Sequence, residues 1–154
     1  MAEAALEFAA LSPDRAMTWA ELRHELWPAT SAADHVREAG YLQRSPDYFV
    51  LLAIESGVVG FAEAAIRRCY VNGCESLPGE PVAFLEGIYV KPAYRRRGIA
   101  RALCERVAAW ARTLGATELA SDALIDNTDS HAMHRALGFA ETQRVVFFRR
   151  TLPS

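Results

Sequence analysis

Three arginines and a glycine, Arg95-Arg96-Arg97-Gly98, stand between an apolar strand-like run and a long helical pattern. At a helix start the first backbone N–H groups lack an intrahelical acceptor, and the helix dipole presents positive charge there. Such a turn suits a phosphate or another anion. Gly98 allows the backbone to come close, small Ala100 leaves room against the first turn, and guanidinium groups can add charge-assisted bonds. The same residues would also make a solvated basic turn, and their types alone leave both readings open. A Walker A loop is excluded because no Gly-Lys-Ser/Thr follows, and the GxGxxG dinucleotide fingerprint is absent.

Two acids sit where acids are costly. Glu86 interrupts the apolar run Phe84-Leu-Glu-Gly-Ile-Tyr-Val90, and Asp122 ends the run Glu118–Ala123. A carboxylate in a strand must face water, a cation or a partner. Glu86 is therefore either a ligand-facing acid or the partner of a core arginine, and Trp27 either a ligand platform or core. His131 and His134 share the i, i+3 spacing of a metal pair, but no third ligand is evident and no metal is expected. The cysteines, Cys69, Cys74 and Cys104, are odd in number and form no CxxC pair, which fits a reducing compartment rather than a disulfide framework. Cys104 falls inside the apolar stripe of a helix and reads as core.

The elements that must position these residues are legible in outline. Ser12 and Pro13 predict a helix start, and the helix runs through Met17, Trp19, Leu22 and Leu26 to Trp27, where Pro28 stops it. A second helix is predicted over Ala32–Leu42. A hairpin follows, with Tyr48–Ile54, a turn at Glu55-Ser56-Gly57, and Val58–Ile66. The segment 72–81 is loop by its Gly and Pro content. Ala83–Val90 is a strand, and Gly98–Leu114 a helix with Ile99, Leu103, Val107, Ala111 and Leu114 on one face. A strand over Thr117–Ala123, a helix from about Thr128 to Leu137 and a last strand over Arg144–Arg149 complete the order. The pattern predicts an α/β (α+β) domain built on one mixed sheet spanning 1–154.

The composition narrows the class. The 154 residues are 51% hydrophobic and 23% charged, as in a soluble globular domain with a sizeable core. The net charge of −2 favours neither nucleic acid nor an anionic membrane as partner. The N-terminal stretch MAEAALEFAALSPD has no basic n-region and carries acids, unlike a signal peptide, and no window reaches the apolar length of a membrane span. A cytoplasmic protein is expected.

Arg95-x-x-Gly98-x-Ala100 matches the Q/R-x-x-G-x-G/A signature of GNAT acetyltransferases, and the later helix ending Leu137-Gly138-Phe139 resembles that family's Asn…LGF segment. The resemblance implies the GNAT acyl-CoA N-acyltransferase fold, a mostly antiparallel mixed sheet flanked by helices, with acetyl-CoA as cosubstrate. It implies that Arg95 opens the cofactor loop. The backbone amides of Arg96, Arg97, Gly98, Ile99, Ala100 and Arg101 would hold the pyrophosphate. Ile88, Tyr89 and Val90 would pair with pantetheine, and Asn127 would contact the cofactor further along. A backbone N–H at Tyr89 or Val90 would serve the thioester carbonyl.

More specific segments are Leu22-Arg-His-Glu-Leu-Trp27-Pro28, Tyr70-Val-Asn-Gly-Cys-Glu75, Phe84-Leu-Glu86-Gly-Ile-Tyr-Val, Ala120-Ser-Asp122 and His134-Arg-Ala-Leu-Gly-Phe139. They resemble aminoglycoside 6'-N-acetyltransferases from end to end. The resemblance implies an acceptor pocket of Trp27, Tyr70, Glu86 and Asp122, in which acids meet a polycationic aminosugar and the aromatics pack on sugar faces. Glu86, through water, would be the base, with transfer direct from cofactor to amine. There are departures. Gln143 stands where relatives carry an acid, Leu77-Pro-Gly-Glu80 is a short insertion, and His134 occupies the place of the tyrosine that many family members use to protonate the thiolate. Relatives often dimerise through C-terminal strands, so Val145–Phe148 implies a homodimer. The rivals are a GNAT enzyme for polyamines or protein N-termini, a CoA-binding domain without turnover, and a nucleic-acid module. The last is disfavoured because the arginine cluster lacks interleaved aromatics.

Overall fold

In the computed structural model residues 4–154 are described, so the first three residues of the N-terminal stretch lie outside them. Five strands form one sheet in the order β1 (Glu7–Ala10), β2 (Tyr48–Ile54), β3 (Val58–Arg67), β4 (Val82–Val90), β5 (Leu119–Ala120). The first three pairings are antiparallel, and β4 with β5 is parallel. The helices are α1 (Ala16–Leu26), α2 (Ala32–Leu42), α3 (Ile99–Thr113) and α4 (Thr128–Ala136).

Strand alternation divides the core between the two faces of the sheet. Val50 and Leu52 of β2 pack with Phe61 against Trp19, Ala20 and Leu22 of α1 and Ala39 of α2. Leu51 and Ala53 face the other way with Ala62, Leu85 and Ile88, against Ile99, Leu103, Cys104 and Val107 of α3. The helical spacing of α3 thus buries the expected stripe, Cys104 included. Its stop is Gly115, which takes the left-handed conformation at φ +84°.

Three expectations are corrected and one strand is added to them. Ser12 precedes a short 3-10 turn, Pro13–Arg15, before α1 begins, and its side chain makes no cap bond to that turn's backbone. β1 went unpredicted, since a short edge strand is defined by its neighbour; Glu7 lies opposite Ile54 and Ala10 opposite Leu51. The strand expected over Thr117–Ala123 contracts to Leu119–Ala120, because β5 finds a partner only at Ala83 and Phe84. The strand expected over Arg144–Arg149 is not formed. That segment has no sheet partner among the described residues, and Val145, Val146, Phe147 and Phe148 are exposed.

Candidate active site

The site begins with an irregularity in the sheet. Along β3 and β4, Glu63 lies opposite Gly87 while the next residue, Ala64, lies opposite Leu85, so Glu86 is the extra residue of a β-bulge. The bulge bends β4 at the point where its pairing with β5 ends. Beyond Phe84 the two parallel strands part, bridged once more by the Ser121 hydroxyl, whose Oγ lies 3.3 Å from the Leu85 carbonyl oxygen. The outcome is a fork, with Ile88, Tyr89 and Val90 along one arm and the chain after Ala120 along the other.

At the far end of the β4 arm stands the basic turn. Pro92–Tyr94 make a 3-10 turn, Arg96 takes a left-handed conformation at φ +64°, and Gly98 does so at φ +77° immediately before α3. Left-handed residues alternating with extended and helical ones turn successive N–H groups to one side, a concavity suited to an anion. A Cβ built on Gly98 would meet no atom within 4 Å, so the backbone there faces open space. Three of the guanidinium groups have partners in the protein. Arg95 Nε donates to the Val90 carbonyl at 2.9 Å, and Arg97 Nη2 donates to both oxygens of Glu55 at 3.1 and 2.9 Å. Arg101 Nη2 reaches the Ala136 carbonyl at 2.6 Å. These side chains brace the loop to β4, to the β2–β3 turn and to α4. Asn127 is the N-cap of α4, its Oδ1 accepting from the Ser130 amide at 3.1 Å.

On the α1–α2 face of the sheet a pocket of about 280 Å³ is lined by Trp27, Tyr48, Glu63, Glu86 and Arg23 among others. Trp27 caps α1, and its ring lies over Gly87; a Cβ there would stand 2.6 Å from Cη2 and 2.8 Å from Cζ2. Glycine at 87 is what lets the indole come down onto the bulge. Glu86 Oε1 accepts from Arg67 Nη2 at 2.8 Å, and the pair is half-exposed. Glu86 therefore has an arginine partner, but from the edge of β3 rather than the core.

Tyr70, Asp122 and Gln143 are exposed on separate loops outside this pocket. A Cβ on Gly73 would meet Thr142 Oγ1 at 2.3 Å, so the segment before Gln143 lies against the loop that carries Tyr70. Glu118 accepts from the amides of Glu75 and Ser76 and so ties that loop to β5.

Beneath the pocket lies a charged cluster that the sequence reading missed. Glu63 is fully buried, with Oε1 accepting from Arg23 Nε at 3.1 Å and Oε2 without a hydrogen-bond partner. Arg23 also donates to Glu38 and, from Nη1, to His35 Nδ1 at 3.0 Å. Burial pushes the Glu63 carboxyl up to about 7 against the pull of Arg23, with Glu86 and Glu38 adding to the rise. Burial, then Arg23, holds His35 below its ordinary value. Burial also raises the Tyr48 phenol. The signal was available: Glu63 interrupts Val58–Ile66 as Glu86 interrupts its own strand.

His134 sits on the other side of the fork. Nδ1 lies 2.7 Å from the Ser130 carbonyl and Nε2 lies 2.8 Å from the Ser121 hydroxyl. A carbonyl only accepts, so Nδ1 carries a proton, and in the neutral ring Nε2 accepts from Ser121. The edge of the ring meets Phe139, with centroids 5.3 Å apart. Among the described residues no group of three or more His, Cys, Asp or Glu could hold a metal ion, and no helix is long and apolar enough to cross a membrane.

Comparison with known proteins gives this geometry a family. The model of the Acetyltransferase (GNAT) family matches residues 17–139. The aminoglycoside N(6')-acetyltransferase type 1 of Serratia marcescens is 49% identical over 141 residues, 90% of this chain and 94% of that protein. The crystal structure of the aminoglycoside antibiotic 6'-N-acetyltransferase AAC(6')-Ih from Acinetobacter baumannii superposes with a TM-score of 0.90 at 42% identity, covering 97% of this chain and all of that one. AAC(6')-Iy in complex with the bisubstrate analogue CoA-S-monomethyl-acetylneamine superposes with a TM-score of 0.88 at 38% identity, covering 96% and 99%. The forked sheet with its glycine-led helix is that of the GNAT acetyltransferases, and the chain belongs to that family, in the group of type 1 aminoglycoside N(6')-acetyltransferases.

Proposed function

We propose that this chain, acting as one catalytic domain, transfers the acetyl group of acetyl-CoA to the 6'-amine of aminoglycoside antibiotics and so confers resistance to them. The observation that carries the reading is the fork between β4 and β5. It opens beside the glycine-led start of α3 on one side and the Trp27–Glu86 pocket on the other. In this reading the amides of Arg96–Arg101 hold the pyrophosphate, the β4 edge at Ile88–Val90 pairs with pantetheine, and Asn127 touches the cofactor beyond the fork. The N–H of Tyr89 or Val90 steadies the thioester carbonyl as charge builds on its oxygen.

Trp27 and Tyr70 carry the sugar rings, and Glu86 and Asp122 meet its ammonium groups. Glu86, through water, takes the proton that the attacking amine must lose. Gln143 leaves the rim one charge short of the acid its relatives carry. His134 supplies the proton for the departing thiolate. Transfer is direct within a ternary complex, since Cys104 is buried in the α3 core at 5% exposure and burial holds its thiol above its ordinary value. A homodimer formed through the exposed Val145–Phe148 segment, in the cytoplasm, completes the proposal. The test is acetyl-CoA turnover with kanamycin and with its 6'-hydroxyl analogue. Turnover with the first alone is expected, and turnover with spermidine but not kanamycin would overturn the acceptor.

A further inference from the structure

The histidine in the place of the usual tyrosine is not aimed at the fork directly. Both ring nitrogens are engaged, Nδ1 by the Ser130 carbonyl and Nε2 by Ser121. Ser121, in contrast, is the residue immediately beyond the last paired position of β5, and its Oγ contacts Leu85, the residue before the bulge. It therefore stands at the base of the fork, and its hydroxyl bridges the two arms.

We propose that Ser121 is a catalytic residue, the immediate proton donor to the departing thiolate, with His134 as the group that refills it. The inference rests on the acetyl-transfer reading above.

The hydrogen-bond pattern favours this order. Ser121 has one proton and two neighbours able to take it, Nε2 at 2.8 Å and the Leu85 carbonyl at 3.3 Å. When His134 is neutral the proton lies toward Nε2. When the ring is protonated, Nε2–H donates to Oγ, and the hydroxyl proton is left with the long bond to Leu85, readily redirected to a sulfur entering the fork. As the carbon–sulfur bond breaks, its electron pair goes to sulfur, and sulfur takes the proton from Ser121 Oγ. Oγ takes the proton from Nε2, and His134 becomes neutral with Nδ1–H still on Ser130. The acceptor nitrogen loses two protons in becoming an amide. One restores the imidazolium through solvent and the other leaves to bulk water, so each turnover releases one proton net.

The test combines turnover with a measurement that needs none. Ser121→Ala should lower kcat by about 10²-fold, the scale of a lost general acid, with the Michaelis constants of both substrates nearly unchanged. Ser121→Thr, which keeps the hydroxyl, should recover most of the loss. Nitrogen NMR of the His134 ring should report a hydrogen-bonded Nε2 in the wild type that becomes unbonded in Ser121→Ala. A Ser121→Ala enzyme within twofold of wild-type kcat would overturn the proposal, as would an Nε2 signal indifferent to the substitution. If wild type turns over spermidine and not kanamycin, only the acceptor reading fails, and the same kcat comparison is made with spermidine.

Discussion

The two sides of the β4–β5 fork are built by different means. The side proposed for the cofactor is one continuous stretch, from Ile88 to Arg101, and its concavity is made by main-chain conformation, with Arg96 and Gly98 left-handed ahead of α3. The side chains of Arg95, Arg97 and Arg101 point back into the protein, to Val90, Glu55 and Ala136. The side proposed for the acceptor is made of side chains from α1, the bulge in β4 and separate loops, over a floor of buried charge. A main-chain site tolerates changes of side chain and is broken by changes of backbone. A side-chain site answers to charge and shape one residue at a time.

The largest effect is therefore expected from Gly98→Asp. The position needs φ +77°, which L side chains rarely adopt, and a carboxylate would project into the space an anion would occupy. Acetyl-CoA affinity measured by calorimetry should fall by at least about 10²-fold, the sum of strain and like-charge repulsion each worth on the order of 1–2 kcal/mol. Unchanged affinity in a folded variant would remove this loop from cofactor binding.

Gly87→Ala probes the opposite side. Its Cβ would fall 2.6 Å from the Trp27 ring, so the indole must lift off the bulge or the strand must shift. The Michaelis constant for an aminoglycoside should rise roughly tenfold, the scale of 1–3 kcal/mol for overpacking, while acetyl-CoA affinity stays as it was. Equal losses for both substrates would mean that the bulge is shared, and the two sides would not be separable.

Charge at the rim should matter less. Asp122 and Gln143 are both exposed, and solvent weakens exposed pairs. Asp122→Asn should raise the acceptor's Michaelis constant and Gln143→Glu should lower it, each about two- to fivefold at low salt, with little change in kcat. Effects that persist undiminished at physiological salt would place these groups in a drier pocket than the rim.

The same contrast explains what could be read in the sequence. The basic turn ahead of α3, the hairpin over Tyr48–Ile66 and the buried stripe of α3 were legible because each is local, set by periodicity or by glycine placement. The bulge was not. Glu86 stood out as an acid in a strand, yet whether it met an arginine depended on Arg67, 19 residues away on another strand. Arg23 and Glu63, 40 residues apart, are a pairing of the same kind. The two-residue extent of β5 follows from the bulge, and the unformed strand at Arg144–Arg149 from the lack of a neighbour within one chain. The contact of His134 with Ser121 became visible only from the distances.

The last effect is on stability rather than on either substrate, and it sharpens the comparison by asking which face of the sheet responds to pH. The cluster packed against α3 is wholly apolar, whereas the α1 face holds Arg23, His35 and Glu63. Glu63 titrates near 7 when folded, against an ordinary value of 4.5, with burial the first cause. Below pH 4.5 the group is protonated in both states and contributes no penalty. Between 4.5 and 7 the folded protein holds a proton that the unfolded chain releases, so stability falls as pH rises, and the full cost is present above 7. That cost is of the order of 3 kcal/mol. Glu63→Gln keeps an oxygen for Arg23 Nε and removes the titration. His35, shifted in the other direction, is common to both proteins and cancels in the comparison. Urea unfolding at pH 5 and pH 8 should show the wild type losing more stability across that interval than Glu63→Gln. An identical loss in both would mean that Arg23 keeps Glu63 ionised throughout.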